Sequence, residues 1–281
     1  MRYSLCLLAF GSLGPSAKRS LSSLECLNAD RLCILGDSAG RNWVADNISE
    51  SASLKVCWHS PNAEALQLLD LDFHESASYS KFGEDRFINL TTFKWDLLSQ
   101  SLILHPDASF ALFTDLDVYW ARDPKELMFQ LFSDPHTFVI AQDDSPGKHD
   151  VHYCSGVMIW KNDERSIQSV SRMFNTQLQL NAKGKRVPDE PIFNRWAMEQ
   201  EEGIVKSLEK HQFVIGHRFF HVIIGIGFKV KDVYCYHANY VTGEEAKNSR
   251  LSIFSRRLNG DLSWLPPFIR EIMNRLFDAK K

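Results

Sequence analysis

The stretch Ser109-Phe-Ala-Leu-Phe-Thr-Asp-Leu-Asp-Val-Tyr-Trp120 decides how this sequence of 281 residues is read. Its first six residues form an apolar, aromatic run of strand length. The run ends on Asp115 and Asp117. At strand spacing, residues i and i+2 point to one face. In an open α/β sheet, ligands bind beyond the carboxyl ends of the strands. Two carboxylates at such an end suit a hard divalent cation, Mg2+ or Mn2+, that keeps positions for substrate phosphates. The bare pattern is weak evidence, because 20 Asp in the chain predict roughly 1.4 Asp-x-Asp pairs by chance. A second copy, Asp70-Leu71-Asp72, follows a segment without strand character and reads as a solvated helix end.

Working outward, apolar strand-length runs alternate with helical patterns, which argues for an α/β fold with a mostly parallel sheet. Tyr3 to Phe10 reads as a buried first strand in preference to a short signal peptide, since Ser16–Leu27 then reads as a helix and Arg31–Gly36 as a second strand. Leu54–Trp58 is a third. Phe87, Leu90, Phe93, Leu97, Leu98 and Leu102 recur at helical spacing within 78–104, with Lys94 inside the pattern. Thr137–Ala141 and Gly156–Trp160 read as further strands, 163–182 as an amphipathic helix, and Asp189–Met198 as another. His211–Tyr236 is β-rich, with Phe213–Ile215, Phe228–Val230 and Val233–Tyr236. Pro266–Lys281 reads as a short amphipathic helix.

With no clear linker along the chain, it reads as one domain over 1–250 with a basic amphipathic extension over 251–281. Hydrophobic residues are 44% and charged residues 24%, near globular averages, which excludes a disordered or fibrous chain. A net charge of -3 gives no sequence-wide attraction to nucleic acid, so no nucleic-acid partner is expected. From Arg250 onward there are 7 Lys/Arg against 3 Asp/Glu, a net +4, which leaves -7 on the other 249 residues. A basic amphipathic helix can lie on an anionic membrane; the simpler reading is that it caps the domain. The six cysteines read as free thiols in a reducing compartment, and no apolar run approaches membrane-spanning length. The expected location is cytoplasmic, with peripheral membrane contact as the alternative. Two sequons, Asn47-Ile-Ser49 and Asn89-Leu-Thr91, are compatible with secretion but arise often by chance.

Phe113–Trp120, followed by Asp123-Pro124, resembles the donor motif of nucleotide-diphospho-sugar glycosyltransferases with the A-type fold, a single Rossmann-like domain, and is similar to the plant rhamnogalacturonan xylosyltransferase branch. Four further segments fall in that family's order. They are Lys94 on the upstream helix, Cys154-Ser-Gly-Val-Met-Ile-Trp160, Asp189-Glu-Pro-Ile-Phe-Asn194, and His237-Ala-Asn-Tyr-Val-Thr-Gly243 with Lys247 beyond it. Cys154 stands where the family usually has Asn, and Glu190 where it usually has Gln. Both departures are expected near the acceptor sugar or the anomeric carbon.

The resemblance implies a metal-dependent glycosyltransferase acting with retention on a nucleotide-diphosphate sugar, through the family a uridine diphosphate sugar, and on a glycan or small hydroxyl acceptor. Asp117 and His237 would hold Mn2+ or Mg2+ directly. Asp115 would face the metal and the ribose. Lys94 would contact the donor, Lys247 would add charge to the leaving diphosphate, and Gly243 would let the backbone approach the phosphates. Asp189, Glu190 and Asp143 would serve the sugar and acceptor side. Each has a plainer reading: His237 merely hydrogen-bonded, Lys94 a solvated helix lysine, Asp143 and Asp144 turn residues, Asp189 a helix N-cap. Ser155 and Gly156 are as readily packing residues, and Trp58, Trp120 and Trp160 read as core. Two rival functions are a non-catalytic sugar-nucleotide or glycan-binding protein on this fold and, with less support, a haloacid-dehalogenase-like phosphatase.

Overall fold

The computed structural model describes residues 2–11, 13–48, 54–72, 84–145, 151–218, 232–239, 241, 243–261, 263 and 267. The sequence expectation for Phe228–Val230 lies outside these residues, as does that for the Pro266–Lys281 helix apart from residue 267. The elements are β1 (Tyr3–Ala9), α1 (Pro15–Ser23), β2 (Arg31–Gly36), α2 (Ser38–Asn47), β3 (Lys55–His59), α3 (Ala63–Leu68), α4 (Asp85–Thr91), α5 (Phe93–Leu104), β4 (Phe110–Thr114), β5 (Val118–Trp120), α6 (Lys125–Leu131), β6 (Val139–Asp143), β7 (Tyr153–Lys161), α7 (Glu164–Ala182), α8 (Asp189–Met198), β8 (Val205–Leu208), β9 (Phe213–Ile215), β10 (Cys235–His237) and α9 (Glu244–Leu258).

Seven strands form one sheet in the order β3-β2-β1-β4-β7-β6-β8. Only β7 runs against its neighbours. The first strand, β1, lies inside the sheet between β2 and β4, which is why Tyr3, Leu5, Leu7 and Ala9 are fully buried. Strands covered on both faces read as continuous apolar runs, and β4 is buried along its whole length. One face packs on α5, α7 and α8 through Phe93, Trp95, Leu97, Trp160 and Phe193; the other carries Leu5, Leu32, Leu112 and Ile159.

A second sheet, β5-β10-β9, continues directly from β4. It shares a small core with α9, built on Val214, Tyr236, Leu251 and Phe254. The run from 109 to 120 therefore crosses from one sheet to the other, and the turn between them carries Asp115 and Asp117.

Some details differ from the sequence pattern. The helical segment upstream of β4 is two helices that meet at Thr92. Thr91 Oγ1 donates back to the Ile88 carbonyl at 2.7 Å, and Gln177 Nε2 donates to the same hydroxyl at 2.9 Å. Such back-bonding competes with the helical ladder. Trp58 is not core: it is 41% exposed, with the Arg41 guanidinium over its ring, whereas Trp120 and Trp160 are buried as expected. Helix α9 has no counterpart in the apolar pattern, because only Leu251 and Phe254 are buried along it; it runs unbroken past residue 250. Asp70-Leu71-Asp72 lies just past α3 with both carboxylates exposed, as read. Among the described residues no helix is long and apolar enough to cross a membrane.

Candidate active site

Asp115 and Asp117 do not sit on a strand. They occupy the turn between β4 and β5, so strand periodicity is not what brings their carboxylates together. Two anchors do it. The Asp115 amide donates to the Gly156 carbonyl on β7 at 2.9 Å, and the Ala238 amide donates to the Asp117 carbonyl at 2.9 Å. Because β10 pairs antiparallel with β5, His237 stands opposite Val118, beside Asp117. His237 Nε2 is 3.0 Å from Asp117 Oδ1 and 3.8 Å from Asp115 Oδ2. One ligand atom from each of Asp115, Asp117 and His237 lies within 4.8 Å of the others, as a metal ion requires.

The platform beneath them is Gly156. A Cβ there would stand 2.0 Å from His237 Cε1 and 2.8 Å from Asp115 Oδ2. The β6–β7 register jumps at this place, from Ala141 opposite Met158 to Gln142 opposite Cys154, which leaves Ser155, Gly156 and Val157 without β6 partners. Strand irregularities of this kind re-aim side chains next to active sites. Strand β6 also runs two residues further than its apolar run, and that extension brings Gln142 to the imidazole. Its Oε1 is 3.3 Å from His237 Nδ1, while its Nε2 donates to the Phe213 carbonyl at 3.2 Å. With the amide so oriented, Nδ1 carries a proton and Nε2 faces the carboxylates, as a metal-binding histidine needs. Gln142 was not singled out from the sequence. Its position after a strand was visible there, but its contact with a residue 95 positions away was not.

Two lysines flank the carboxylates. Lys94 is buried on α5, not solvated. Its Nζ is 2.5 Å from Asp189 Oδ2, 3.5 Å from Asp115 Oδ1, and donates to the Ser155 carbonyl at 3.0 Å. Lys247, one turn into α9, is 2.7 Å from Asp117 Oδ2. Burial pushes the Asp117 carboxyl up, but His237 and Lys247 outweigh it and hold Asp117 well below the usual carboxylate range. Burial also dominates at Asp115 and leaves its carboxyl raised despite Lys94. Burial works against a charge on His237, yet Asp117 lifts it well above the ordinary imidazole value.

Asp189 opens α8 but caps nothing; its carboxylate takes Lys94 and the Ser155 hydroxyl, at 2.6 Å. Ser155 and Gly156 are thus part of the site. Glu190, beside Asp189, turns instead to His152 Nε2 at 3.0 Å. Asp143 ends β6 as a turn residue, accepting from the Ser145 amide at 2.7 Å, with Lys210 Nζ at 3.2 Å. Gly243 adopts φ +92, a left-handed conformation that glycine takes freely, at the N-cap of α9. Cys154 is buried behind the imidazole, 3.5 Å from His237 Nδ1. That departure from the family's Asn therefore falls behind the candidate metal ligand, not on an open acceptor surface.

Helix α8 is held to β7 by Asn194, which accepts from the Tyr153 amide and donates to the Tyr153 carbonyl, both at 2.7 Å. Phe193 anchors the same helix among Trp95, Tyr153, Trp160 and Trp196. The Phe and Asn of the Asp189–Asn194 segment thereby place Asp189.

A mostly parallel seven-stranded sheet flanked by helices, whose central β4 runs into the two carboxylates, is the A-type glycosyltransferase fold. The model of the nucleotide-diphospho-sugar transferase family matches residues 51–251, and the chain belongs to that family. It is a glycosyltransferase, and the phosphatase reading falls away. Three solved structures share the fold. Mouse xyloside xylosyltransferase 1, in its apo form, superposes with a TM-score of 0.55 at 16% identity, covering 87% of this chain and 100% of that one. The galactosyltransferase LgtC, in complex with donor and acceptor sugar analogues, gives 0.56 at 15%, covering 95% and 99%. The glycosyltransferase GlyE of Streptococcus pneumoniae gives 0.54 at 11%, covering 92% and 63%. No curated protein sequence matches the chain.

Proposed function

We propose that this enzyme moves a sugar from a nucleoside diphosphate sugar, with uridine as the base by family resemblance, to a hydroxyl of a glycan or other small acceptor, with retention and with the help of Mn2+ or Mg2+. The observation that carries the reading is the meeting of Asp115, Asp117 and His237 on Gly156. Two carboxylates and an imidazole suit either ion, and the imidazole favours Mn2+. The cradle fits a bound ion too, since any side chain at 156 would displace His237 and Asp115. When bound, a divalent cation supplies a Lewis acid for the negative charge that grows on the departing diphosphate.

The chain's own residues do the rest. Lys247, now on Asp117, is placed to turn to the leaving diphosphate as a point charge. Gly243 begins the same helix and opens its backbone to the phosphates. Asp115 takes the ribose as well as the cation. Lys94 ties Asp115 to Asp189 across Ser155, so the donor turn and the start of α8 hold one geometry. That fixes Asp189 for a hydroxyl of the transferred sugar, with Glu190 next to it on the acceptor side and Asp143 reaching the sugar from the end of β6.

The experiment is release of nucleoside diphosphate from a panel of donor sugars, with acceptors, in Mn2+ or in EDTA. Asp117→Ala and His237→Ala each abolish Mn2+-dependent release while circular dichroism reports a folded chain. Full activity in either variant, or activity indifferent to EDTA, overturns the metal role. Proton NMR of the product reads the anomeric configuration.

A further inference from the structure

Three strands along the sheet from the Asp115–Asp117 turn, a second group of ligand-type side chains converges. Cys33 lies on β2, His59 ends β3, and His105 follows α5. One ligand atom from each lies within 4.8 Å of the others. Cys33 and His59 are buried, at 0% and 5% exposure. Their imidazole nitrogens are the telling feature. Nε2 of His59 and Nε2 of His105 are both buried; that of His105 has no hydrogen-bond partner, and the His59 ring meets only the Cys33 sulfur on that side. A buried imidazole nitrogen left unpaired is costly and calls for a ligand.

The surroundings settle which nitrogen His59 offers. Gln100 donates both N–H groups of its amide, to the Ser60 carbonyl at 2.8 Å and to Asp96 Oδ1 at 2.9 Å. Its Oε1 is left as the acceptor, 3.2 Å from His59 Nδ1. His59 therefore carries its proton on Nδ1 and presents a lone pair on Nε2, the arrangement of an imidazole prepared for a metal by a carbonyl behind it. Ser101 Oγ donates to Cys33 Sγ at 3.6 Å and orients the sulfur. Register adds soft donors nearby: Cys6, Cys33 and Cys57 sit side by side on β1, β2 and β3.

We propose that Cys33, His59 and His105 form a second metal site, for Zn2+ or another cation that prefers nitrogen and sulfur, and that the ion clips β2 and β3 to the end of α5. One sulfur and two nitrogens make a tetrahedral zinc set with one position left for water. Binding releases the proton held between Cys33 and His59 to solvent. Such a donor set discriminates against Mg2+ and Mn2+, which prefer oxygen, so the two sites sort metals by ligand chemistry. This inference does not depend on the transferase chemistry proposed above.

Cobalt is the probe, because a Co2+–thiolate bond gives a charge-transfer band in the near ultraviolet and a carboxylate site does not. The full chain, stripped with chelator, is titrated with Co2+ as wild type, Asp117→Ala, His105→Ala and Cys33→Ser. The expected band appears with one equivalent in wild type and in Asp117→Ala, disappears in both cluster variants, and is displaced by Zn2+ but not by Mn2+. His105→Ala keeps the circular dichroism of the wild-type chain, which shows that this half-buried substitution leaves the fold intact. No thiolate band in wild type, a band that survives His105→Ala, or a band lost with Asp117→Ala, which would assign the sulfur to Cys154, overturns the proposal.

Discussion

At the residue scale, the metal role proposed for His237 makes cation affinity depend on pH. Asp117 lifts its imidazole well above the ordinary value against the pull of burial, so without metal the ring holds its second proton to higher pH than a free imidazole does. A metal on Nε2 replaces that proton. Below the raised value, Mn2+ affinity then climbs by about tenfold per pH unit, because one proton is released for each ion bound. Calorimetric titration with Mn2+ in two buffers of different ionisation enthalpy measures that proton directly. Affinity that stays flat between about pH 6 and about pH 8 removes the imidazole from the ligand set. Gly156 gives a second residue-scale prediction. Its absent side chain is what lets His237 and Asp115 approach. Gly156→Ala pushes the ring aside and lowers Mn2+ affinity by roughly 10- to 100-fold, as loss of a supporting contact typically does. The cost to folding is about 1–3 kcal/mol for overpacking. Unchanged Mn2+ affinity in a folded Gly156→Ala chain contradicts the cradle.

At the element scale, α8 is positioned by one side chain more than by its length. Asn194 supplies both partners of the Tyr153 backbone, as a neighbouring strand would, and so joins the helix to β7. Asn194→Ala leaves a buried N–H and a buried C=O unpaired and costs about 1–3 kcal/mol. Because Asp189 rides on that helix, turnover falls further than donor affinity. Urea denaturation and a kcat-against-KM comparison read the two effects; a stable variant with lowered Mn2+ affinity alone would place the role elsewhere. The elements also show what the sequence made legible. Strands β1, β2, β4 and β7 announced themselves as continuous apolar runs because both faces are covered. The carboxylate pair was legible for the same reason, standing where such a run stops. The contacts that complete the site were not. Lys94 lies in a helix like any surface lysine, and only the packing of α5 under β4 and β7 buries it. Gln142 meets His237 only after two sheets have formed. Helix α9 stayed hidden because two buried side chains in fifteen residues make no apolar stripe.

At the scale of the whole molecule, the first and last described helices are bound to each other, and that bond carries the active site. Glu244 opens α9, and its carboxylate accepts from both the amide and the hydroxyl of Ser16 at 2.5 Å. It thereby occupies the N-terminus of α1, where unpaired amides and the helix dipole favour an anion. Arg19 Nε adds a hydrogen bond to Asn248 at 2.7 Å one turn further along. The small core of Val214, Tyr236, Leu251 and Phe254 holds the other side of α9. Lys247 sits between these attachments, so its reach to Asp117 depends on where α1 holds the start of its helix. Glu244→Ala therefore acts at a distance. It removes two charge-assisted hydrogen bonds of about 1.5–3 kcal/mol each in favourable cases, yet leaves the seven-stranded sheet untouched. Hydrogen exchange should quicken along α9 while β1 and β4 keep their protection, since local opening follows the weakest attachments. Donor KM should rise with it, because Lys247 loses its fixed position. Exchange in α9 equal to wild type would show that the small core alone positions the helix, and that the tie to α1 adds nothing to the site.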